Sequence, residues 1–268
     1  MDCLGQKIAP QGTLLSVIGF HKKRYSTVSI NKFVIVSIKK IASVLFLFFV
    51  FNAQVAFSSG HEAAKVSSPP VLQSLLEGNK GFAQKGEFRT LGQKNSLQRR
   101  AELAIKQNPF AVVITCSDSR VSPEIIFDKG HGEIFVVRVA GNIVGPHEPG
   151  SVEYAVEHLG AKLVMVLGHE RCGAVTATYD AHLAGGKVEG NIGSIVEAID
   201  PAVTAAISNG ATGIKAEIIE QCIVQNIRLV ASEVETRSPI LKEAIASGHV
   251  QLVKAYFDLD NGKVSVID

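Results

Sequence analysis

Tryptophan is absent from the 268 residues, and cysteine occurs only four times. Four thiols in a chain this long cannot staple a small disulfide-built fold. Charge is scarce too: Asp, Glu, Lys and Arg make up 19% of the residues and the net charge is +2. Such a balance does not describe a polyanion binder. Intrinsic disorder is excluded, because 46% of residues are hydrophobic and can build a core. There is no internal repeat and no low-complexity tract.

The little charge there is lies unevenly. Residues 1–58 carry seven basic residues against the single acid Asp2, which leaves 20 basic and 24 acidic residues in the remainder. Residues 41–51, IASVLFLFFVF, form an unbroken apolar run directly after Lys39 and Lys40. Small residues come after it, among them Ala53, Ala56, Ser58 and Gly60. A basic flank, a short apolar stretch and a small-residue exit describe a secretory signal, with cleavage expected near Ser58. The competing reading is an uncleaved membrane anchor. The apolar run falls short of the roughly 20 residues that span a bilayer, and Asn52 and Gln54 dilute the stretch beyond it. The expected organisation is therefore a leader over 1–58 and one domain over 59–268, exported to the periplasm.

Within that domain, residues 71–82 and 96–107 read as helices, the first ending near Gly78 and the second capped by Ser96 and stopped by Pro109. Three near-continuous apolar runs come next, at 110–115, 134–139 and 162–167. Such runs suit strands covered on both faces. Helical patterns at 122–127, 151–159 and 174–184 separate or succeed them. Alternation of this kind predicts an α/β fold with a mostly parallel central sheet flanked by helices. Further helices are expected at 192–208, interrupted at Pro201, and at 214–235 and 239–247. Runs at 250–259 and 263–267 flank Asp260, Asn261 and Gly262, which predicts a C-terminal β-hairpin.

Two motifs carry chemistry. Cys116-Ser117-Asp118-Ser119-Arg120 stands directly after the first predicted strand, and His169-Glu170-Arg171-Cys172-Gly173 directly after the third. If the chain stays extended after Thr115, positions 116, 118 and 120 project to one side. Sites in open parallel sheets form beyond the carboxyl ends of strands, so the two motifs can converge. Cys116, His169 and Cys172 are donors that suit Zn²⁺, and three protein ligands leave a fourth position for water. Two plainer readings stand beside this one: buried core thiols with a core histidine, or a Cys116–Cys172 disulfide.

The segments TCSDSRVSPEIIFDKGHGEIFVVRVAGNIV, GSVEYAVEHLG and VLGHERCGAV, with LLEGNKGF before them, resemble the β-class carbonic anhydrases over roughly residues 70–268. The resemblance implies reversible hydration of CO₂ to bicarbonate and a proton by zinc-bound hydroxide. It implies one zinc per subunit on Cys116, His169 and Cys172. Asp118 and Arg120 match a catalytic dyad, and Gln107 matches a glutamine that binds bicarbonate. Phe135 and Tyr154 match aromatics of the CO₂ pocket, and Gly173 matches a position whose N–H faces the substrate. The family forms an intertwined dimer, often paired into tetramers. The lack of Trp and the presence of Gln107 resemble its plant-like, open-site branch, in which Arg120 is expected to hold Asp118 away from the metal. Two alternatives stay open: a same-fold zinc hydrolase acting on carbon disulfide or carbonyl sulfide, and a non-enzymatic periplasmic zinc-binding protein. No nucleic-acid partner is expected, and a membrane contact only through an uncleaved leader.

Overall fold

Residues 69–85 and 93–268 are described by the computed structural model. The leader, its apolar run at 41–51 and the cleavage point near Ser58 lie outside the described residues. Five strands form one sheet in the order β2-β1-β3-β4-β5. They are β1 Ala111–Thr115, β2 Ile134–Arg138, β3 Leu163–His169, β4 Gln251–Phe257 and β5 Val264–Ile267. The first four run parallel, and β5 pairs antiparallel with β4. Every residue of β1 and β3 is buried, because helices cover both faces of the sheet. Val112, Ile114, Val164 and Val166 point into one core layer. Ala111, Val113, Leu163, Met165 and Leu167 point into the other, as the two-residue alternation of a strand requires.

Eight helices complete the described fold: α1 Pro69–Lys85, α2 Leu97–Leu103, α3 Pro123–Ile126, α4 Glu148–Glu157, α5 Gly173–Ala184, α6 Ile192–Ser208, α7 Lys215–Arg237 and α8 Pro239–Ala246. The long α7 buries Ile219, Cys222, Ile223, Asn226, Ile227, Val230 and Val234, the stripe that a 3.6-residue period places on one side. It lies close to β3 because position 168 has no side chain. A Cβ on Gly168 would stand 2.5 Å from Ile227 Cγ1. On the other face, the buried Asn79 of α1 donates to the Gly262 carbonyl and accepts from the Val264 N–H, each at 2.8 Å. This ties α1 to the β4–β5 turn, where Asp258 accepts from the Asp260 and Asn261 N–H groups. Among the described residues no helix is long and apolar enough to cross a membrane.

Several boundaries differ from the sequence expectation, each for a local reason. α1 does not end near Gly78 but runs on to Lys85. A Cβ at Gly78 would lie 1.8 Å from the Phe127 carbonyl oxygen, so this glycine serves close packing rather than termination. α2 keeps the Ser96 cap, whose hydroxyl accepts from the Arg99 N–H, but it stops at Leu103, leaving Gln107 in an irregular, exposed link. α6 continues through Pro201. α4 begins three residues earlier than expected, at Glu148, with Pro149 in a first turn that needs no N–H there.

Candidate metal centre

β1 and β3 are direct neighbours in the sheet, with Thr115 opposite Leu167. The buried Thr115 hydroxyl donates to the Leu167 carbonyl at 2.8 Å. The chain leaves β1 at Cys116 and ends β3 at His169, so the two motifs emerge side by side at the carboxyl edge. After His169 the chain turns through Arg171, at φ 52°, and Cys172 becomes the N-cap of α5. The Cys116 sulfur, a His169 ring nitrogen and the Cys172 sulfur all lie within 4.8 Å of one another, and all three residues are buried.

The chemistry of this cluster fits a zinc ion. His169 Nδ1 lies 2.9 Å from the Glu170 carbonyl oxygen. A carbonyl only accepts, so Nδ1 carries the hydrogen and Nε2 keeps its lone pair. That Nε2 is buried without a hydrogen-bond partner, a costly state unless something else engages it. A ring fixed through one nitrogen with the other free is the arrangement of a metal ligand. Cys116, Cys172 and Cys222 are free thiols, so the disulfide reading does not hold. The proton shared between Cys172 and Cys116 pushes the Cys116 thiol down to about 4, helped by the N–H groups of Gly141 and Asp118. Cys172 is pushed up, because it supplies that proton to Cys116 and is buried. The pair thus holds one proton and one thiolate. Cys222 lies fully buried in α7, where burial raises its thiol, in keeping with a core residue.

Asp118 stands at the mouth of the cluster, its Oδ2 3.9 Å from His169 Nε2. The extended run past Thr115 does not persist: the chain turns at Ser119 and Arg120. Arg120 reaches back instead. Its backbone N–H and Nε each meet Asp118 Oδ1 at 2.9 Å, and Nη2 meets Oδ2 at 2.7 Å. Arg120 therefore holds the carboxyl well below the usual carboxylate range. Arg138, at the end of β2, braces the same loop by donating to the Cys116 and Asp118 carbonyls.

The remaining expected residues are placed differently. Gly173 opens α5 beside Cys172, and a Cβ there would meet nothing within 4 Å. Phe135, half-buried on β2, packs against the core layer that contains Cys116 and Cys172. Gln107 is exposed. Tyr154 is 48% exposed on α4 and contacts the His158 ring. Neither Gln107 nor Tyr154 is joined to the cluster within this one chain. Sequence reasoning missed Gly141, whose N–H donates to Cys116 Sγ at 3.2 Å, and Asn226 of α7, which holds the Gly141 carbonyl at 2.8 Å. No local signal marks either one, because both act across long sequence separations.

A profile of the carbonic anhydrase family matches residues 111–264. Carbonic anhydrase 2 of Mycobacterium tuberculosis is 36% identical over 73% of this chain and 91% of its own length. The β-carbonic anhydrase CcaA superposes with a TM-score of 0.59 at 24% identity, over 74% of this chain and 88% of that one. One of two tetrameric β-carbonic anhydrases from the filamentous ascomycete Sordaria macrospora gives 0.58 at 24% identity, over 74% and 97%. With the strand-end cluster, the parallel sheet and the profile in agreement, the chain belongs to the carbonic anhydrase family and has the fold of its β class.

Proposed function

We propose that the protein interconverts carbon dioxide and bicarbonate at a zinc ion held by Cys116, His169 and Cys172. One observation carries the proposal: two sulfurs and an imidazole nitrogen converge within 4.8 Å in a buried site, with the His169 Nε2 lone pair lacking any other partner. When bound, zinc supplies a Lewis acid that makes hydroxide available near neutral pH. The rest of the work falls to the chain. Asp118 Oδ2 accepts the hydrogen of the attacking oxygen and turns its lone pair toward CO₂. Arg120 keeps that carboxylate ionised and aimed, through three hydrogen bonds to it. Phe135 gives the linear, apolar substrate a matching wall. The Gly173 N–H, at the positive end of α5, is suited to stabilise the negative charge that develops on the product oxygen.

Gln107 and Tyr154 are exposed in the single chain. We read this as a pocket completed by a second copy, and a dimer or a tetramer is the consequence of that reading. The fungal relatives from Sordaria macrospora are described as tetrameric. The leader composition supports export to the periplasm.

Stopped-flow CO₂ hydration by the zinc-loaded protein tests the activity, with Cys172→Ser as control. Turnover far above the control is expected, together with one zinc per chain. Equal rates in the two proteins reject the proposal. Carbon disulfide and carbonyl sulfide, assayed alongside, should turn over more slowly than CO₂.

A further inference from the structure

We propose that Glu220 is a positioning residue for the metal centre, its carboxylate fixing the turn that presents His169 and Cys172 together. The inference rests on the zinc reading above and adds a distant residue to it. Arg171 sits between the two ligands at φ 52°. Among the described residues, the other non-glycine positions with positive φ are Asp128 and Asn142, types that tolerate the left-handed region; a long side chain such as arginine rarely adopts it. Such a conformation persists only when its surroundings over-determine it.

The surroundings are specific. The Arg171 backbone N–H donates to Glu220 Oε1 at 2.9 Å, from a helix 49 residues further along the chain. The other oxygen, Oε2, accepts the Tyr256 hydroxyl of β4 at 2.5 Å. The carboxylate is thus anchored on the sheet at one end and grips the strained peptide at the other. Additional bonds hold the outside of the turn: Arg171 pairs with Asp260 and Glu170, and Glu170 Oε2 accepts the Leu259 N–H. Glu220 alone among these side chains holds the backbone of Arg171. Glu220 and Tyr256 also line an open cavity of about 470 Å³. Truncating Glu220 therefore admits water rather than emptying the apolar core.

The test uses the full chain in six forms: parent, Glu220→Ala, Glu220→Gln, Arg171→Gly, the double variant Glu220→Ala/Arg171→Gly and its counterpart Glu220→Gln/Arg171→Gly. The readouts are the rate of zinc release to a chelator and the visible spectrum of the cobalt-substituted protein. Groups that hold metal ligands in place typically change affinity by about 10- to 100-fold when lost. Glu220→Ala is expected to release zinc about that much faster and to shift the cobalt bands. Glu220→Gln keeps an acceptor for the Arg171 N–H and is expected to fall between Glu220→Ala and the parent. Glycine adopts positive φ without strain, so the double variant should release zinc more slowly than Glu220→Ala. A Glu220→Ala protein with parental release and parental cobalt bands overturns the proposal, whatever its melting temperature. So does a double variant no slower than Glu220→Ala. Should Glu220→Ala not fold, the comparison of Glu220→Gln with Glu220→Gln/Arg171→Gly decides by the same two outcomes. A parent that takes up neither zinc nor cobalt fails differently, by removing the metal reading itself.

Discussion

Arg120 spends its backbone N–H and two guanidinium nitrogens on a single carboxylate, that of Asp118, at 2.7–2.9 Å. Only 3.9 Å separates that carboxylate from the free nitrogen of His169. The guanidinium thus decides whether Asp118 serves the incoming nucleophile or drifts toward the metal ligands. Arg120→Ala is expected to lower kcat/KM for CO₂ hydration by about 10- to 100-fold. Arg120→Lys should recover part of this, because an ammonium supplies charge without the planar fork. Released from Arg120, Asp118 returns toward an ordinary carboxylate value of about 3.9, so it stays ionised throughout an assay above pH 6. The shape of the pH–rate profile should therefore not change. A new titration between pH 6 and 8 in Arg120→Ala would contradict this account of the dyad.

Gly173 separates stability from catalysis. Its position has room for a methyl group, and it does not have a positive φ. Alanine in a helix is favoured over glycine by up to about 1 kcal/mol, so Gly173→Ala should raise the melting temperature by a few degrees. The same methyl crowds the N–H that the proposed function aims at the product oxygen. Turnover is expected to fall by about tenfold or more. A more stable variant with parental kinetics would remove Gly173 from the substrate site.

Metal loading should release about one proton per chain at pH 7, since Cys116, pushed down to about 4, is already a thiolate and Cys172 holds the remaining proton. Titration calorimetry in buffers of different ionisation enthalpy counts the protons. Two protons per zinc would mean that the pair does not share one in the metal-free protein.

Tyr256 gives the fold an alkaline limit. Burial and the Glu220 carboxylate push its phenol well above the ordinary tyrosine value of about 10. A folded-state value above the unfolded one adds stability that is complete below about pH 10 and is lost as pH climbs toward the folded value. Tyr256→Phe should lower stability at pH 7 by roughly 1.5–3 kcal/mol, the range for a hydrogen bond to a charged group, and flatten the decline above pH 10. Chemical denaturation at pH 7, 9.5 and 11 checks both effects. Parallel curves for the parent and the variant would show that Tyr256 does not set that limit.

Much of the architecture was legible because apolar runs such as 110–115 and 162–167 have no other comfortable home than a doubly covered sheet. Cys116, His169 and Cys172 were legible as a group because strand ends place chemistry at one edge, whatever the distance in sequence. Gly78 misled because a glycine inside a helix looks the same whether it ends the helix or lets Phe127 approach. Gln107 was read as the end of a helix that in fact stops at Leu103, because Pro109 sets only an outer limit and leaves open how far upstream the helix ends. The bracing by Glu220, Asn226 and Arg138 was invisible for a different reason. Each reaches a backbone group across 20 or more residues, and only the folded packing of α7 and β2 against the strand ends brings donor and acceptor together.

The Thr115–Leu167 bond sits one residue before Cys116 and two before His169. Alignment of the two strands is therefore settled by the sheet's own ladder, ahead of any donor atom reaching for an ion. On the proposed reading, zinc would enter a frame whose register the strands already share, unlike in small fingers that are unfolded without metal. The chain is then expected to reach its native sheet in a chelator, with metal added afterwards restoring the full site.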